Sequence, residues 1–339
     1  MMRIKPLIVS FVIVLLAASC LYAGGSERIG SAGAQELRIP VGSRASAMAG
    51  ANIADVSGAE ALFWNPAGVA HFEGTEAMFT HLQYIADINV DYFGVMTNIE
   101  DFGSIGLHAK VVSIGEMEVT TTQEPQGTGE TFSPTFSVIG ATYSRVFTDR
   151  VSFGMTANLI NEKIEQVSAN GLAFDFGFIY DPLWRGFKFA IAIKNYGPQM
   201  RFSGEGFNLS VDPPDAEPGT QLKTVATKSA QFELPAYIQL GASWDAVNRD
   251  LNRAVVVGSF QANNFSEDEF RGGIEYSYDD MFFLRGGYVG SSQDSFMYGL
   301  TLGAGLKYAW GQNSITFDYS WVETDFFDNN QYFTAKFSF

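Results

Sequence analysis

Leu300-Thr301-Leu302-Gly303-Ala304-Gly305-Leu306-Lys307-Tyr308-Ala309-Trp310 alternates without a break. Leu300, Leu302, Ala304, Leu306, Tyr308 and Trp310 fall on one face, and Thr301, Gly303, Gly305, Lys307 and Ala309 on the other. A period of two is that of a strand with two unlike faces. The pattern recurs in both directions along the chain. Ile315, Phe317, Tyr319 and Trp321 oppose Thr316, Asp318 and Ser320, and Phe333, Ala335, Phe337 and Phe339 oppose Tyr332, Thr334, Lys336 and Ser338. Upstream, Phe187, Phe189, Ile191 and Ile193 oppose Lys188, Ala190, Ala192 and Lys194. Leu172, Phe174, Phe176, Phe178 and Tyr180 share a face, with Asp175 opposite. The apolar faces end in aromatic residues (Tyr180, Trp244, Tyr308, Trp310, Tyr319, Trp321), as the girdles of a membrane barrel do. A secreted β-sandwich would also alternate, but it would share its apolar faces between two sheets.

About fourteen such segments can be placed, an even number as closed bacterial barrels require. They lie near 75–83, 89–97, 103–113, 134–147, 151–164, 171–181, 187–196, 233–246, 253–262, 269–278, 281–289, 295–310, 314–321 and 331–339. Every second connection is short: 148–150, 181–186, 247–252, 279–280 and 311–313. Others, 114–133, 197–232 and 322–330, are longer and rich in Gly, Pro and acids. Short turns on the periplasmic side and long loops outside are the outer-membrane rule. The expected fold is all-β: a closed transmembrane barrel of antiparallel strands occupying 75–339, ending on Phe339 as its assembly terminus.

Composition agrees. The 339 residues include 30 Phe, 14 Tyr and 35 Gly, yet mean hydropathy is near zero, so the apolar residues are dispersed as alternation would disperse them. After residue 23 no apolar run is long enough to span a bilayer as a helix. The net charge of −16 argues against nucleic-acid binding. Residues 1–23 have a basic start (Arg3, Lys5) and an apolar stretch from Leu7 to Ala18, which reads as an export signal. Removal after Ala23 is favoured over a lipoprotein-type site at Cys20, the chain's single cysteine. The expected location is the bacterial outer membrane.

Between leader and strands lies a stretch that resembles neither. Ser57 and Glu60 have the spacing of a capping box. Asn65 precedes Pro66, so a short helix should stop there, with Asn65 capping a second turn that begins on Pro66. The stretch is too short to fold alone and needs a larger body to pack in. The inward face of the strands offers one: Lys110, Asp175, Lys188, Lys194, Asp245, Arg271, Glu275, Arg285, Lys307, Asp318 and Lys336 all have inward parity. Their expected role is to pair across the lumen and hold the helical knot on the periplasmic side. His108 should face the lumen beside Lys110, and Gly272-Gly273 and Gly286-Gly287 read as places of bend or close packing. The loop acids Glu116, Glu118, Glu124, Glu130, Glu205, Asp212, Asp215, Glu217, Glu267, Asp268, Asp294, Glu323, Asp325 and Asp328 read as a solvated rim. The three histidines and one cysteine supply no catalytic or zinc pattern, so neither an enzyme, a metal nor a cofactor is expected.

Residues 31–51, Ser-Ala-Gly-Ala-Gln-Glu-Leu-Arg-Ile-Pro-Val-Gly-Ser-Arg-Ala-Ser-Ala-Met-Ala-Gly-Ala, and 61–70, Ala-Leu-Phe-Trp-Asn-Pro-Ala-Gly-Val-Ala, resemble the N-terminal signature of the PorV/PorQ family, which belongs with the FadL-like outer-membrane barrels. The resemblance implies a fourteen-stranded barrel whose N-terminal 24–74 is an internal hatch, with Gly42, Arg44, Gly50, Asn65, Pro66, Ala67 and Gly68 as signature positions. Pro40 stands where Gly is commoner, and Ser43 and Ser46 where Ala is. Two functions follow from it. PorV-like members serve type IX secretion, receiving cargo with a C-terminal sorting domain and passing it to a translocon and surface machinery; this is the favoured reading. FadL-like members admit hydrophobic small molecules such as fatty acids and aromatic hydrocarbons, the hatch moving to open a lateral path. Outer-membrane lipid is the surrounding partner in both.

Overall fold

A computed structural model describes residues 28–211, 221, 223–291 and 296–339. The expected leader with Cys20, and the loop acids Asp212, Asp215, Glu217 and Asp294, lie outside these residues.

Fourteen strands close into a ring: β1 (Thr75–Gln83), β2 (Asn89–Ile99), β3 (Gly103–Ser113), β4 (Thr135–Thr148), β5 (Val151–Ile164), β6 (Val167–Trp184), β7 (Phe187–Tyr196), β8 (Tyr237–Arg249), β9 (Asn252–Asn263), β10 (Glu269–Tyr278), β11 (Phe282–Ser291), β12 (Tyr298–Trp310), β13 (Asn313–Thr324) and β14 (Asn330–Ser338). Each pairs antiparallel with its neighbours in sequence. The seam is made by β14 and β1, from Glu76 opposite Ser338 to Gln83 opposite Gln331. Thr75 and Phe339 extend it by exchanging both backbone hydrogen bonds, at 2.8 and 2.9 Å. Backbone groups along the ring are thereby paired within it, which is what a strand needs in hydrocarbon.

The alternation is realised as drawn. Phe317, Phe333, Leu284, Leu302 and Phe189 stand on the outer surface, while Asp318, Thr334, Arg285, Thr301 and Ala190 are buried inside. An outer wall this apolar suits lipid rather than water. Among the described residues no helix is long and apolar enough to cross a membrane.

Strand limits differ from expectation by four residues in two places and by three or fewer elsewhere. β8 begins at Tyr237 rather than 233, because Pro235 has no N–H to give a ladder. β6 runs from Val167 to Trp184 rather than over 171–181, joined to β5 by a turn at Glu165, whose φ is 49°. The long loops are also not plain coil. Met200–Gly204 adds to the far end of β6 and is itself flanked by Gln231–Phe232, while Asn208–Val211 pairs with Lys223–Ala226.

Residues 28–74 lie inside the ring as short turns: a 3-10 turn at Gln35–Arg38, α1 (Ser43–Ala47), a 3-10 turn at Gly58–Glu60, α2 (Ala61–Trp64) and a 3-10 segment at Pro66–His71. The segment does not sit on one side of the barrel, as expected, but runs its length. It starts at the long-loop end, where Arg28 pairs with Glu233 and Gly30 N–H donates to the Phe265 carbonyl. It ends at the short-turn end, where Gly74 leads into β1. The reason is chain length: some forty residues of compact turns fill a lumen that an isolated knot would leave mostly empty.

Candidate functional site

The Asn65-Pro66 break is set by local chemistry. Asn65 is extended (φ −154°, ψ 105°), its side-chain oxygen accepts from Ala67 N–H at 3.2 Å, and its amide donates to the Ile53 carbonyl at 2.9 Å. The wall is carved to receive it. Gly154 on β5 and Gly177 on β6 are opposite each other, and a Cβ on Gly177 would stand 2.0 Å from Asn65 Oδ1. One on Gly154 would stand 2.2 Å from the Pro66 carbonyl carbon. Ser144 on β4 donates to the Ala67 carbonyl. Gly68 abuts the Val56 carbonyl in the same way. Gly273 and Gly287 make room for Met48, so the close-packing reading holds for these two, while a Cβ on Gly272 or Gly286 would meet only ordinary van der Waals contacts.

The capping box between Ser57 and Glu60 does not form. Ser57 is exposed and makes no capping bond. The Glu60 carboxylate accepts instead from Ala45 N–H at 3.0 Å, beside Gly42 at φ 83°, and the Ala59 N–H donates to Glu76 on β1 at 2.8 Å. Within a filled lumen, distant carboxylates reach these N–H groups and displace the local option.

Charges fasten the short-turn end. Arg44 presents Nε and Nη2 to the two oxygens of Glu275 at 2.8 and 2.9 Å, a bidentate fork, and Nη2 also reaches Asp55 at 2.7 Å. From Glu275 the chain of opposite charges continues through Arg285 (2.6 Å) and Asp318 (2.6 Å) to Lys336 (3.4 Å). It crosses β12 at Gly305, where a Cβ would meet Asp318 Oδ1 at 2.1 Å. Lys188 and Arg253 also face Asp55, and Asp245 pairs with Arg253 at 2.8 Å. Burial alone would lower the Arg44 pKa, but the facing Glu275, Asp55 and Glu60 hold the guanidinium above its usual range.

Higher in the lumen, Lys110 and Lys194 flank the Phe63 ring, at 4.8 and 5.0 Å from its centre. Lys110 donates to the carbonyls of Glu36 and Ile39, and Lys194 to that of Phe63 and to Asp175 at 2.6 Å. His108 is buried there, stacked on Tyr92. Arg271 donates to the Ala49 carbonyl, next to Gly50, and shares Glu269 with Arg38. Lys307, also among the expected lumen charges, faces a polar space of about 480 Å³ at the short-turn end instead of joining the ladder. Parity did not single out Glu162, Arg253, Glu269 or Glu76, though all four could have been read from it. Glu36, Asp55 and Glu60 lie on short turns, where no period marks an inward face.

The long-loop end holds a different space. A cavity of about 580 Å³ is walled by Ile39, Ile85, Ile88, Val112, Ile114, Phe136 and Val289, and floored by Phe63 and Trp64 of the hatch. Below it, past Leu37 and Phe63, is a void of only about 10 Å³, room for about one water, bounded by Tyr92, His108, Asn158, Asp175 and Lys194. This pocket reaches the wall at Asn195, where the ladder is broken. Asn195 has φ 59°, its N–H donates to the Asp175 side chain at 2.7 Å, and the β6–β7 register shifts between Phe174 and Phe176. Gly197-Pro198 then ends β7.

No protein-family model matches the chain, and no curated protein sequence does. Solved structures do. The chain is similar to a CymD monoaromatic hydrocarbon channel (13% identity, TM-score 0.53, covering 89% of this chain and 98% of that one). It is similar to the Pseudomonas putida toluene transporter TodX (13%, 0.52, 88% and 96%) and to a Pseudomonas aeruginosa FadL homologue (13%, 0.50, 88% and 98%). At this identity the likeness is one of fold, that of the closed antiparallel barrel described above.

Proposed function

We infer that the chain is an outer-membrane channel for hydrophobic small molecules, without a catalytic step, and that residues 31–70 act as its hatch. The observation that carries this reading is the apolar cavity at the long-loop end, closed by hatch residues Phe63 and Trp64 and otherwise open enough for a small organic molecule. The similar structures named for hydrocarbon and toluene transport support the same class of solute. The route follows from solvation. The short-turn half of the lumen is crossed by the Arg44–Glu275–Arg285–Asp318–Lys336 ladder, where an apolar solute gains nothing and would separate paired charges. A sideways exit at Asn195, where the β6–β7 ladder is broken, avoids that ladder of charges and is the cheaper one. The PorV/PorQ-like part in type IX secretion is not the reading we adopt. Among the described residues no loop feature selects a sorting-domain cargo or a translocon, whereas the channel reading accounts for the cavity.

The test is binding of toluene and of a long-chain fatty acid to the purified protein, read from the part of its tryptophan fluorescence that a Trp64→Phe variant lacks, together with their uptake by cells that carry or lack it. Saturable binding, and uptake lost on deletion, are expected. Phe136→Ala should weaken binding about tenfold, the cost of one large apolar contact. Absence of binding and uptake, with a sorting-domain protein recovered on purification, would overturn the channel and favour secretion.

A further inference from the structure

The turn Gln35–Arg38 divides the outer cavity from the polar pocket beneath it: Glu36, Arg38 and Ile39 line the first and Leu37 the second. Its fastenings are few. Lys110 donates to the Glu36 and Ile39 carbonyls, Arg38 pairs with Glu269 at 3.0 Å and donates to Ser266 at 2.9 Å, and the Glu36 side chain lies against Glu162 on β5. The last contact joins two acids, 3% and 4% exposed. No N–H or hydroxyl group of another residue donates to either oxygen of Glu36, nor to Glu162 Oε2. Ala34, Leu37, Val138 and Ile160 pack together beside them. Two carboxylates in contact in such surroundings would repel, whereas one proton between them makes a hydrogen-bonded pair.

We propose that Glu36 and Glu162 are a proton-held latch that fastens the Gln35–Arg38 turn to the barrel wall, and that loss of the proton frees the turn and joins the outer cavity to the pocket beside Asn195. The latch stands on contacts within the lumen and holds whatever solute passes.

The charged groups facing it are Glu162 from β5 and Lys110 from β3, the latter set beside Lys194 of β7 and Asp175 of β6; Arg38, on the turn itself, is engaged by Glu269. Burial first, and Glu162 second, push Glu36 up to about 8 from its ordinary 4.5, with its own backbone N–H and then Lys110 opposing. The fastened turn therefore holds its proton more tightly than the free one. Fastening is strongest below pH 4.5, weakens about tenfold in its equilibrium constant per pH unit as the pH rises towards 8, and changes no further above that.

A nitroxide attached at Gln35→Cys, in a Cys20→Ser background, reports the turn without touching the pair, since Gln35 is exposed. In liposomes titrated from pH 4.5 to 9, the mobile fraction should grow with pH and level off above 8. Glu36→Gln keeps a donor towards Glu162 and should hold the label immobile throughout, while Glu36→Ala should leave it mobile throughout. A wild-type signal that ignores pH, or a Glu36→Gln variant that titrates like the wild type, would overturn the latch. Should Glu36→Gln fail to assemble, Glu162→Gln places the donor on the other partner and decides the matter in the same way. Because the label reads motion and not uptake, failure of the channel reading and failure of the latch give different results.

Discussion

At the scale of single residues, the hatch is held by what the wall lacks. Gly154 and Gly177 leave a hollow for the Asn65-Pro66 turn, so enlarging either should push the hatch inward. Gly177→Val is expected to cost about 1–3 kcal/mol by overpacking, read as a lowered unfolding temperature, and to raise ion conductance in planar bilayers. Asn65→Ala removes a cap and the bond to Ile53, for about 1–2 kcal/mol. The break itself was legible, because Pro66 restricts its neighbour wherever it occurs. Its socket was not: Gly154 and Gly177 lie some ninety residues and more along the chain, and nothing in their own neighbourhood names Asn65. The Ser57–Glu60 reading failed for the same reason in reverse, a local rule losing to Ala45 and Glu76.

At the scale of elements, two fastenings answer differently to solvent. The ladder from Arg44 is held by charges of opposite sign, and its hatch member keeps its proton more firmly than usual. Raising the pH to 9 should therefore leave α1 in place while the Gln35–Arg38 turn loosens, a contrast that labels on the two elements would display. Arg44→Met should be far more damaging, about 3–5 kcal/mol, because it leaves Glu275 and Asp55 short of a partner in a buried site; urea unfolding in detergent would measure it. The strands were readable from alternation to within a few residues, since each keeps one face in lipid and one in the lumen. The errors fall where a backbone fact overrides side-chain pattern, at Pro235 before β8 and in the tight turn before β6.

At the scale of the molecule, closure predicts a sharp behaviour: in detergent on gels the unboiled protein should migrate apart from the boiled one, and unchanged mobility would argue against a closed ring. Parity and loop asymmetry made this architecture legible. The apolar cavity was not, because its walls come from Ile39, Ile88, Phe136 and Val289, which approach only once the hatch is inside. That order carries a further consequence. The seam joins the first strand, which follows the hatch directly, to the last strand made. With charged pairs of hatch and wall locked across the short-turn half of the lumen, threading residues 28–74 into a finished ring would have to carry Arg44, Asp55 and Glu60 past them. Wrapping the sheet around its own N-terminus and zipping β14 to β1 last avoids that threading, and a chain stalled before Asn330 would leave the backbone edges of β13 and β1 unpaired and Asp318 without Lys336, a handle for quality control.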